Sequence, residues 1–291
     1  MNQKSYENSK YGKLYLIPTP IGNLEDITLR AIKTLEMVDI VYAEDTRETN
    51  NLLKYLKITK KVESCHKYTE MKHKNKIIEI LKSGKNIGYV TDRGTPLISD
   101  PGNIIVEEAI SNGIIVIFLP GPNALLPAIN MSGLSNEKFL FYGFLNSKPS
   151  ISKKELIELK DIKQTIILYE SPHRLTATLK QILAVFGNRK IAIVREISKL
   201  YEEIIRDNIE NILKISDNLK GEIVIVIEGN TQEKEDKIDY NNEISKLIQS
   251  GYSKRDAVRE VADKYNMSKN KLYNEFKENW NEVNCGIRKS R

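Results

Sequence analysis

Side chains that can transfer a proton gather in two short segments of the sequence. The segment "YESPHR" contains Glu170, His173 and Arg174, and the segment "REISKL" contains Glu196 and Lys199. A carboxylate or an imidazole can accept a proton from a weak nucleophile, and a nearby cation can stabilise the resulting anion. Each segment lies at the end of an apolar run of strand length, where charged groups are often functional but also form ion pairs that only fix a loop. The residues alone leave both interpretations open.

Three other segments, rich in glycine, proline and aspartate, could hold a ligand. They read "IPTPIGN" from Ile17, "TDRGTPLISDPG" from Thr91 and "LPGPNALLPA" from Leu119. Small ligands of open α/β sheets bind outside the carboxyl ends of the strands, and turns of this composition expose backbone groups there. We predict a small-molecule pocket rather than three plain connections, with Asp92 as an acceptor of hydrogen bonds from the ligand.

The sequence lacks the fingerprints of several common sites. It contains neither G-x-G-x-x-G after the first predicted strand nor G-x-x-x-x-G-K-[ST], which argues against an ordinary dinucleotide or P-loop site. Its three histidines have no H-x-x-x-H spacing, and its two cysteines are far apart, so no metal is expected. The cysteine usage predicts a reducing cytoplasm. The longest apolar runs are strand-sized, which predicts no membrane span.

The order of the elements predicts an α/β fold in two parts. Up to about Pro120, apolar runs of strand length alternate with segments of helical period, and this alternation favours a mostly parallel sheet in the first part. We expect α/β domains at residues 12–120 and 121–229, followed by a linker and a helical module at 241–283. One predicted helix begins with Ser171 as its N-cap and Pro172 at its first position. The net charge is +6, and from Gly251 onwards ten Lys or Arg stand against six Asp or Glu, which suggests a polyanionic partner.

Seven segments together resemble a known family. They are, in chain order, "LYLIPTPIGNLEDITLRAI", "VYAEDTRETNNLL", "TDRGTPLISDPG", "LPGPNALLPAINMSGL", "FYGFLNSK", "LYESPHRL" and "VREISKLYEE". Each is weak alone, but the ordered set strongly resembles the RsmI-type ribosomal RNA small-subunit methyltransferases of the tetrapyrrole methylase-like superfamily. The resemblance runs from about Lys13 to Gly229.

The resemblance implies an S-adenosylmethionine-dependent 2′-O-methyltransferase that acts on the ribose of a cytidine in the decoding region of 16S rRNA, in the small ribosomal subunit. It also implies a homodimer, no metal, and a cofactor folded in the cleft between two α/β domains. By motif position, the cofactor contacts would be Pro18, Asp92, Gly94, Thr95, Ile98, Gly121, Ala124, Tyr142, Gly143 and Tyr169. The base would be Glu170, His173 or Glu196, with Arg174 or Lys199 as the stabilising cation.

The C-terminal helices would then contact the RNA. Backbone phosphates would be bound by basic side chains, and two tyrosines, Tyr252 and Tyr273, could stack on bases. The basic residues are Lys254, Arg255, Arg259, Lys269 and Lys271. Alternatively, these helices only cap the body, and their own core consists of Val258, Val261, Ala262 and Leu272.

The sequence departs from the family pattern at two positions. Arg93 stands in the middle of the cofactor loop where alanine is usual, and Asn146 replaces a proline. We expect Arg93 to point outward, or to reach a carboxylate or an RNA phosphate. Two rival functions are a tetrapyrrole methylase, which needs no basic module, and a helix-turn-helix DNA-binding regulator with an α/β sensor body.

Overall fold

The computed structural model describes residues 3–6, 9–66, 69–231, 239–265, 267–270, 272–274 and 276. The chain divides into two compact units, Met1–Thr231 and Gln232–Arg291. Both α/β halves lie in the first unit, so the predicted boundary at residue 120 stays a prediction.

The first half is built on a parallel sheet. Its strands are β1 (Leu14–Leu16), β2 (Ile40–Ala43), β3 (Lys61–Ser64), β4 (Ile87–Val90) and β5 (Val116–Phe118). They pair in the order β3-β2-β4-β1-β5, with every pairing parallel. The carboxyl ends of β1, β2, β4 and β5 therefore share one edge, which is where the three turn-rich segments begin.

Helices cover both faces of this sheet. They are α1 (Leu29–Met37), α2 (Thr46–Tyr55), α3 (Glu70–Lys82) and α4 (Asn103–Ser111). Along β2, Tyr42 packs into the core that includes residues of α3 and α4, whereas Val41 and Ala43 pack into the core shared with α1 and α2. A strand buried on both faces is apolar along its whole length, which is why these strands could be predicted from the sequence.

The second half contains a mixed sheet. Its strands are β6 (Phe139–Phe144), β7 (Thr165–Glu170), β8 (Lys190–Arg195), β9 (Glu203–Asn208) and β10 (Ile223–Ile227), in the order β6-β7-β10-β8-β9. Only the β6–β7 pairing is parallel among these. The helices are α5 (Leu125–Ser132), α6 (Pro149–Leu159), α7 (Leu175–Phe186) and α8 (Ile209–Leu213). The predicted fold class, two α/β parts, is confirmed.

Helix α7 begins later than its predicted N-cap. Ser171 opens a turn instead, because its carbonyl accepts the N–H groups of Arg174 and Leu175, both at 3.1 Å. The prediction that Ser171 caps the helix, with Pro172 at its first position, was therefore wrong. The apolar residues of this helix repeat every three or four positions, as a buried helical stripe requires, and all four are buried: Leu175, Leu179, Ile182 and Phe186.

The second unit is helical where it is described. It contains α9 (Tyr240–Gln249), α10 (Lys254–Lys264) and further helical residues between 269 and 276. The Ser253 hydroxyl caps α10 by accepting the N–H of Asp256 at 3.2 Å, as the spacing of these residues predicts. Within the described ranges, no helix is both long and apolar enough to cross a bilayer.

The central strand of the second half should dominate the stability of that half. Ile225 is fully buried between β7 and β8, so Ile225→Ala should cost about 2–5 kcal/mol of unfolding free energy through lost contacts and a residual cavity. Ile157 on α6 is 47% exposed, and Ile157→Ala is the matched control, with a much smaller expected effect. Urea denaturation followed by circular dichroism measures both variants. Equal losses would contradict this account of the core.

Candidate active site

Backbone hydrogen bonds join the first two turn-rich segments. The Thr19 N–H donates to the Gly94 carbonyl at 2.9 Å, and the Gly94 N–H donates to the Thr19 carbonyl at 3.0 Å. The Thr19 hydroxyl also donates to the Thr91 carbonyl at 3.2 Å. The loops after β1 and β4 are thus paired as a short antiparallel bridge beyond the edge of the sheet.

The third segment, after β5, is fastened to the other two. The Thr95 hydroxyl donates to the Pro122 carbonyl at 2.8 Å. Gly121 lies so close to Pro18 that an added Cβ would come within 2.7 Å of the proline Cβ. Pro18 is itself buried. Pro18 and Gly121, two predicted cofactor contacts, therefore pack against each other and hold the loops together.

A cavity of about 380 Å³ lies between these loops and the second sheet. This volume is within the range of small-molecule sites. Five of the predicted cofactor residues line it: Gly94, Thr95, Ile98, Ala124 and Tyr169. Gly94 has φ +77°, a conformation that favours glycine, and its backbone forms part of the wall.

Asp92, which we predicted to contact the ligand, contacts the loop before α2. Its Oδ1 accepts the backbone N–H of Asp45 at 2.7 Å, just before α2. Asp92 lines a second cavity of about 340 Å³, together with Thr19, Thr49 and Lys199. A direct contact between Asp92 and a ligand of the first cavity stays a prediction.

Two predicted contacts on β6 have different surroundings. Gly143 has φ +84° and sits at a register shift between β6 and β7, and a Cβ there would lie 3.0 Å from the Ser99 Oγ. The glycine therefore allows the loop after β4 to approach. Tyr142 packs against the core under α6 and α7, whereas its neighbour Phe141 packs on the face next to α5. Burial raises the pKa of the Tyr142 hydroxyl.

The loop after β4 carries backbone strain. Leu97 and Ser99 have φ values of +73° and +66°, a region that residues with a Cβ rarely adopt, and Gly102 has φ +126°. Such conformations cost about 1–3 kcal/mol each and are concentrated at functional sites. Here they place Ser99 and Asp100 in the wall of the first cavity.

Asp100 also lines the first cavity, although its place in a turn did not mark it in the sequence as a candidate site residue. Burial raises the pKa of its carboxyl to about 6, the Thr91 hydrogen bond opposes this rise, and the nearby carboxylates of Glu44 and Asp92 add to it. The pKa of the facing Tyr169 is raised to about 12 by burial and then by Asp100. The segment "SDPG" is typical of a turn. Its aspartate can either stabilise the turn or face a ligand, and the sequence does not distinguish these two roles.

The three catalytic candidates near α7 differ in their contacts. The Glu170 side chain is only 1% exposed and accepts the Ser171 N–H at 2.8 Å and the Thr178 hydroxyl at 2.5 Å. Its carboxylate also lies 3.5 Å from the Arg174 Nε. His173 is exposed on the turn before α7. Glu170 lines the first cavity, so it is the best placed of the three.

Arg174 fixes the loop that contains Asn146. Its guanidinium donates to the carbonyls of Leu145 and Asn146, both at 3.1 Å. The Asn146 side chain accepts the Lys148 N–H at 3.0 Å, so the residue that replaces the usual proline stabilises a turn. Arg174 thus holds two backbone carbonyls in place, whereas the contacts of Lys199 are to carboxylate side chains.

The remaining candidates, Glu196 and Lys199, form an ionic cluster across the cleft with Arg93 and Glu222. Arg93 contacts the Glu222 carboxylate, which is one of the arrangements that we expected for this residue. The Lys199 ammonium lies 3.0 Å from both Glu222 and Glu196. The backbone N–H of Glu222, followed by the Lys199 ammonium, holds the pKa of Glu196 below its ordinary value.

Comparison with known sequences decides the family. The family model for Tetrapyrrole (Corrin/Porphyrin) Methylases matches residues 13–213. Ribosomal RNA small subunit methyltransferase I of Bacillus subtilis (strain 168) is 42% identical over 277 residues, covering 92% of this chain and 95% of the relative. The chain belongs to the ribosomal RNA small subunit methyltransferase I family. The resemblance carried by the seven segments is confirmed.

Solved structures support the fold of this methyltransferase family member. A diphthine synthase has a TM-score of 0.59 at 16% identity, covering 75% of this chain and 90% of its own. Uroporphyrin-III C-methyl transferase from Thermus thermophilus, solved with S-adenosyl homocysteine, has a TM-score of 0.56 at 16% identity, covering 75% of this chain and 97% of its own. Likeness at this identity concerns the fold alone.

The first cavity fits the cofactor that the family implies. Ile21, Ile98 and Ile197 give it apolar walls suited to an adenine, and Asp100 supplies a carboxylate suited to a cationic group. Gly94 offers backbone that a ligand can approach without meeting a side chain. The described residues bring no three His, Cys, Asp or Glu side chains together as a metal site would.

The basic residues of the second unit surround a small core of its own. Val258, Val261, Ala262 and Leu272 are buried there with Ile244, so the apolar part of the alternative interpretation agrees with the structure. Lys254, Arg255, Arg259 and Lys269 are exposed, as are Tyr252 and Tyr273. Lys271 lies outside the residues whose side chains are described. RNA contact by these residues stays a prediction.

The protonation of Asp100 should make the stability of the protein depend on pH. Its folded pKa of about 6 exceeds the ordinary 3.8, so the folded state retains a proton that the unfolded state has lost between these values. Stability therefore falls as pH rises through this window. Asp100→Asn should raise the melting temperature at pH 7.5 by about 2–3 °C, as roughly 1 kcal/mol would, and by less at pH 4.5. Differential scanning calorimetry measures this.

The control for this measurement is the exposed Glu137. Glu137→Gln should leave the melting temperature unchanged at both pH values. A gain for Asp100→Asn that was equal at pH 4.5 and pH 7.5 would show that packing, and not the charge, is responsible.

Proposed function

We propose that this protein is an S-adenosylmethionine-dependent methyltransferase that 2′-O-methylates the ribose of a cytidine in the decoding region of 16S rRNA. The observation that carries the proposal is 42% identity over almost the whole chain to a ribosomal RNA small subunit methyltransferase I. The cavity between the two sheets, with five of the ten predicted cofactor residues in its wall, supports the same activity. The partner would be the small ribosomal subunit.

The cofactor would lie in the first cavity and supply a methyl group on a sulfonium centre. Ile21, Ile98 and Ile197 would bind its apolar part, Gly94 would offer main-chain contact, and the Asp100 carboxylate would face positive charge. Tyr169 would close the wall beside Asp100. The acceptor oxygen must approach in line with the methyl–sulfur bond, which is mainly a matter of positioning.

A ribose hydroxyl is a poor nucleophile, so the protein must help it lose its proton. Lys199 is the better candidate for the cation that stabilises the developing alkoxide, because Arg174 is occupied by two backbone carbonyls. Glu196 would orient Lys199, because its Oε1 accepts a hydrogen bond from the Lys199 ammonium at 3.0 Å. Its lowered pKa makes it a weak base, which leaves Glu170 as the favoured proton acceptor over Glu196 and the exposed His173.

A tetrapyrrole methylase is the second candidate, because the matching family model carries that description. Such an enzyme would use the same cleft but would need no basic helical unit. The exposed lysines and arginines of α10 favour the RNA substrate. We further propose that the protein works in the cytoplasm as a homodimer, which light scattering in solution would test.

A labelling assay distinguishes these functions. The protein is incubated with methyl-labelled S-adenosylmethionine and, separately, undermethylated small subunits, free 16S rRNA, a tetrapyrrole or duplex DNA. Label should appear in rRNA, and nuclease digestion should recover it as 2′-O-methylcytidine. Label in the tetrapyrrole would support the second candidate. DNA binding without any label would favour a regulator and contradict the proposal.

The role of Lys199 can be tested separately. Lys199→Gln should lower the methylation rate constant by about 100-fold or more, since one preorganised group that stabilises a developing oxyanion is worth roughly 10²–10³ in rate. The affinity for S-adenosylmethionine, measured by calorimetry, should change little. Lys180→Gln, at an exposed lysine on α7, is the control and should retain the wild-type rate. Wild-type turnover in Lys199→Gln would remove Lys199 from the mechanism.

A further inference from the structure

Two cations from opposite sides of the cleft share one carboxylate. Arg93 follows β4 of the first half and contacts Oε1 of Glu222, which precedes β10 of the second half. Lys199, from the loop between β8 and β9, donates to Oε2 of the same side chain at 3.0 Å. A guanidinium and an ammonium that converge on one anion have the arrangement of an oxyanion receptor.

Lys199 has a second contact that does not involve the Glu222 side chain. Its ammonium also donates to Oε1 of Glu196 at 3.0 Å, and that oxygen accepts the backbone N–H of Glu222 at 2.8 Å. The contact with Glu222 is to its main chain, so it does not depend on the Glu222 carboxylate. The lysine would therefore keep its bond to Glu196 if another anion replaced that carboxylate.

The Glu222 carboxylate is well suited to be replaced. Its side chain is 56% exposed and that of Arg93 is 51% exposed. Ion pairs with this exposure contribute little to stability, so an anion that brings other contacts with it can displace the carboxylate. A rotation of the Glu222 side chain is sufficient, because no backbone bond has to break.

The position of this receptor favours the acceptor over the cofactor as its ligand. Arg93 lines both cavities, Glu222 lines the first and Lys199 lines the second. The receptor thus lies in the walls of both cavities, beside the proposed cofactor site. An acceptor nucleotide must reach this region to meet the methyl group.

We propose that Arg93 and Lys199 bind a phosphodiester of the acceptor RNA, and that Glu222 occupies the phosphate position in the free protein. This inference rests on the proposed function and names the groups that recognise its substrate. In RNA, the 2′-oxygen and the 3′-phosphate are on adjacent ribose carbons. A Lys199 ammonium bound to that phosphate is therefore also close to the oxygen that receives the methyl group.

A double-mutant cycle on the full-length protein tests the inference. The affinities of wild type, Arg93→Gln, Glu222→Gln and the double variant for undermethylated small subunits are measured over a range of salt concentrations. Glu222→Gln should bind about two- to fivefold more tightly, since a competing ion pair is removed. Arg93→Gln should bind more weakly and should lower the slope of log affinity against log salt by about 0.7–0.9, as the loss of one phosphate contact does.

The double variant supplies the sharpest comparison. Without Arg93, the Glu222→Gln change should give at most half of the gain, on a logarithmic scale, that it gives in the wild-type background. Glu203→Gln is the matched control, because Glu203 is also an exposed carboxylate bonded to an arginine, Arg195, at 2.5 Å. It should alter neither affinity nor slope. Melting temperatures establish that each variant is folded.

Three outcomes would overturn the inference. Additive effects in the cycle, with wild-type methylation of rRNA intact, would reject the phosphate receptor and leave the proposed function standing. Weaker binding of S-adenosylmethionine by Arg93→Gln, with unchanged subunit affinity and slope, would assign the guanidinium to the carboxylate of the cofactor instead. Wild-type protein that neither binds nor methylates small subunits would reject both the receptor and the proposed function.

Discussion

The reciprocal hydrogen bonds between Thr19 and Gly94 are the contact on which the rest of the site depends. They tie the loop after β1 to the loop after β4, and both loops begin at the carboxyl edge of a parallel sheet. Because parallel strands end at the same edge, loops that are distant in sequence become neighbours there. The pairing fixes Gly94, and with it the course of the strained loop that carries Ser99 and Asp100.

Each half of the first unit contributes a different kind of group to the cleft. The first half supplies backbone and small side chains, such as Gly94 and Thr95, held by contacts between loops. The second half supplies most of the charged groups, among them Glu170, Glu196 and Lys199. A ligand of the first cavity would therefore meet backbone, Arg93 and Asp100 from the first half, and Glu170 and Glu222 from the second. This division suits a transfer reaction, in which the donor must be rigidly placed and the acceptor must be activated.

The sequence predicted most where burial dictates the pattern. Strands β1, β2 and β4 are covered on both faces, so their apolar runs could hardly be read otherwise. Strand β9 went unrecognised because it is an edge strand with Glu203, Arg206 and Asp207 exposed along it. The segment "YEEIIRDN" has only two central apolar residues, and its pairing with β8 is decided by tertiary context.

Motif position and cavity lining agree at Gly94, Thr95 and Ile98, and their contact with a cofactor stays a prediction. The site was harder to predict where the direction of a side chain decides. Tyr142 and Phe141 are consecutive on β6 and so point to opposite faces, but the sequence does not say which face meets the cleft. Asp100 was missed for a related reason, since an aspartate that precedes proline and glycine is usually explained by the turn itself. Only the fold shows that this turn closes over a cavity.

The energetics of Asp100 connect this turn to the proposed chemistry. Its carboxyl lies near the carboxylates of Glu44 and Asp92, and burial and these charges all oppose its ionisation. Leu97 and Ser99, in the same loop, have strained φ values, so the surrounding structure holds the loop in an unfavourable backbone conformation. A cationic ligand in the first cavity would lower the electrostatic cost of ionising Asp100, whereas a neutral ligand would not. A sulfonium donor would gain this attraction to the carboxylate and lose it once its methyl group is transferred, so the product would interact with Asp100 more weakly than the donor does.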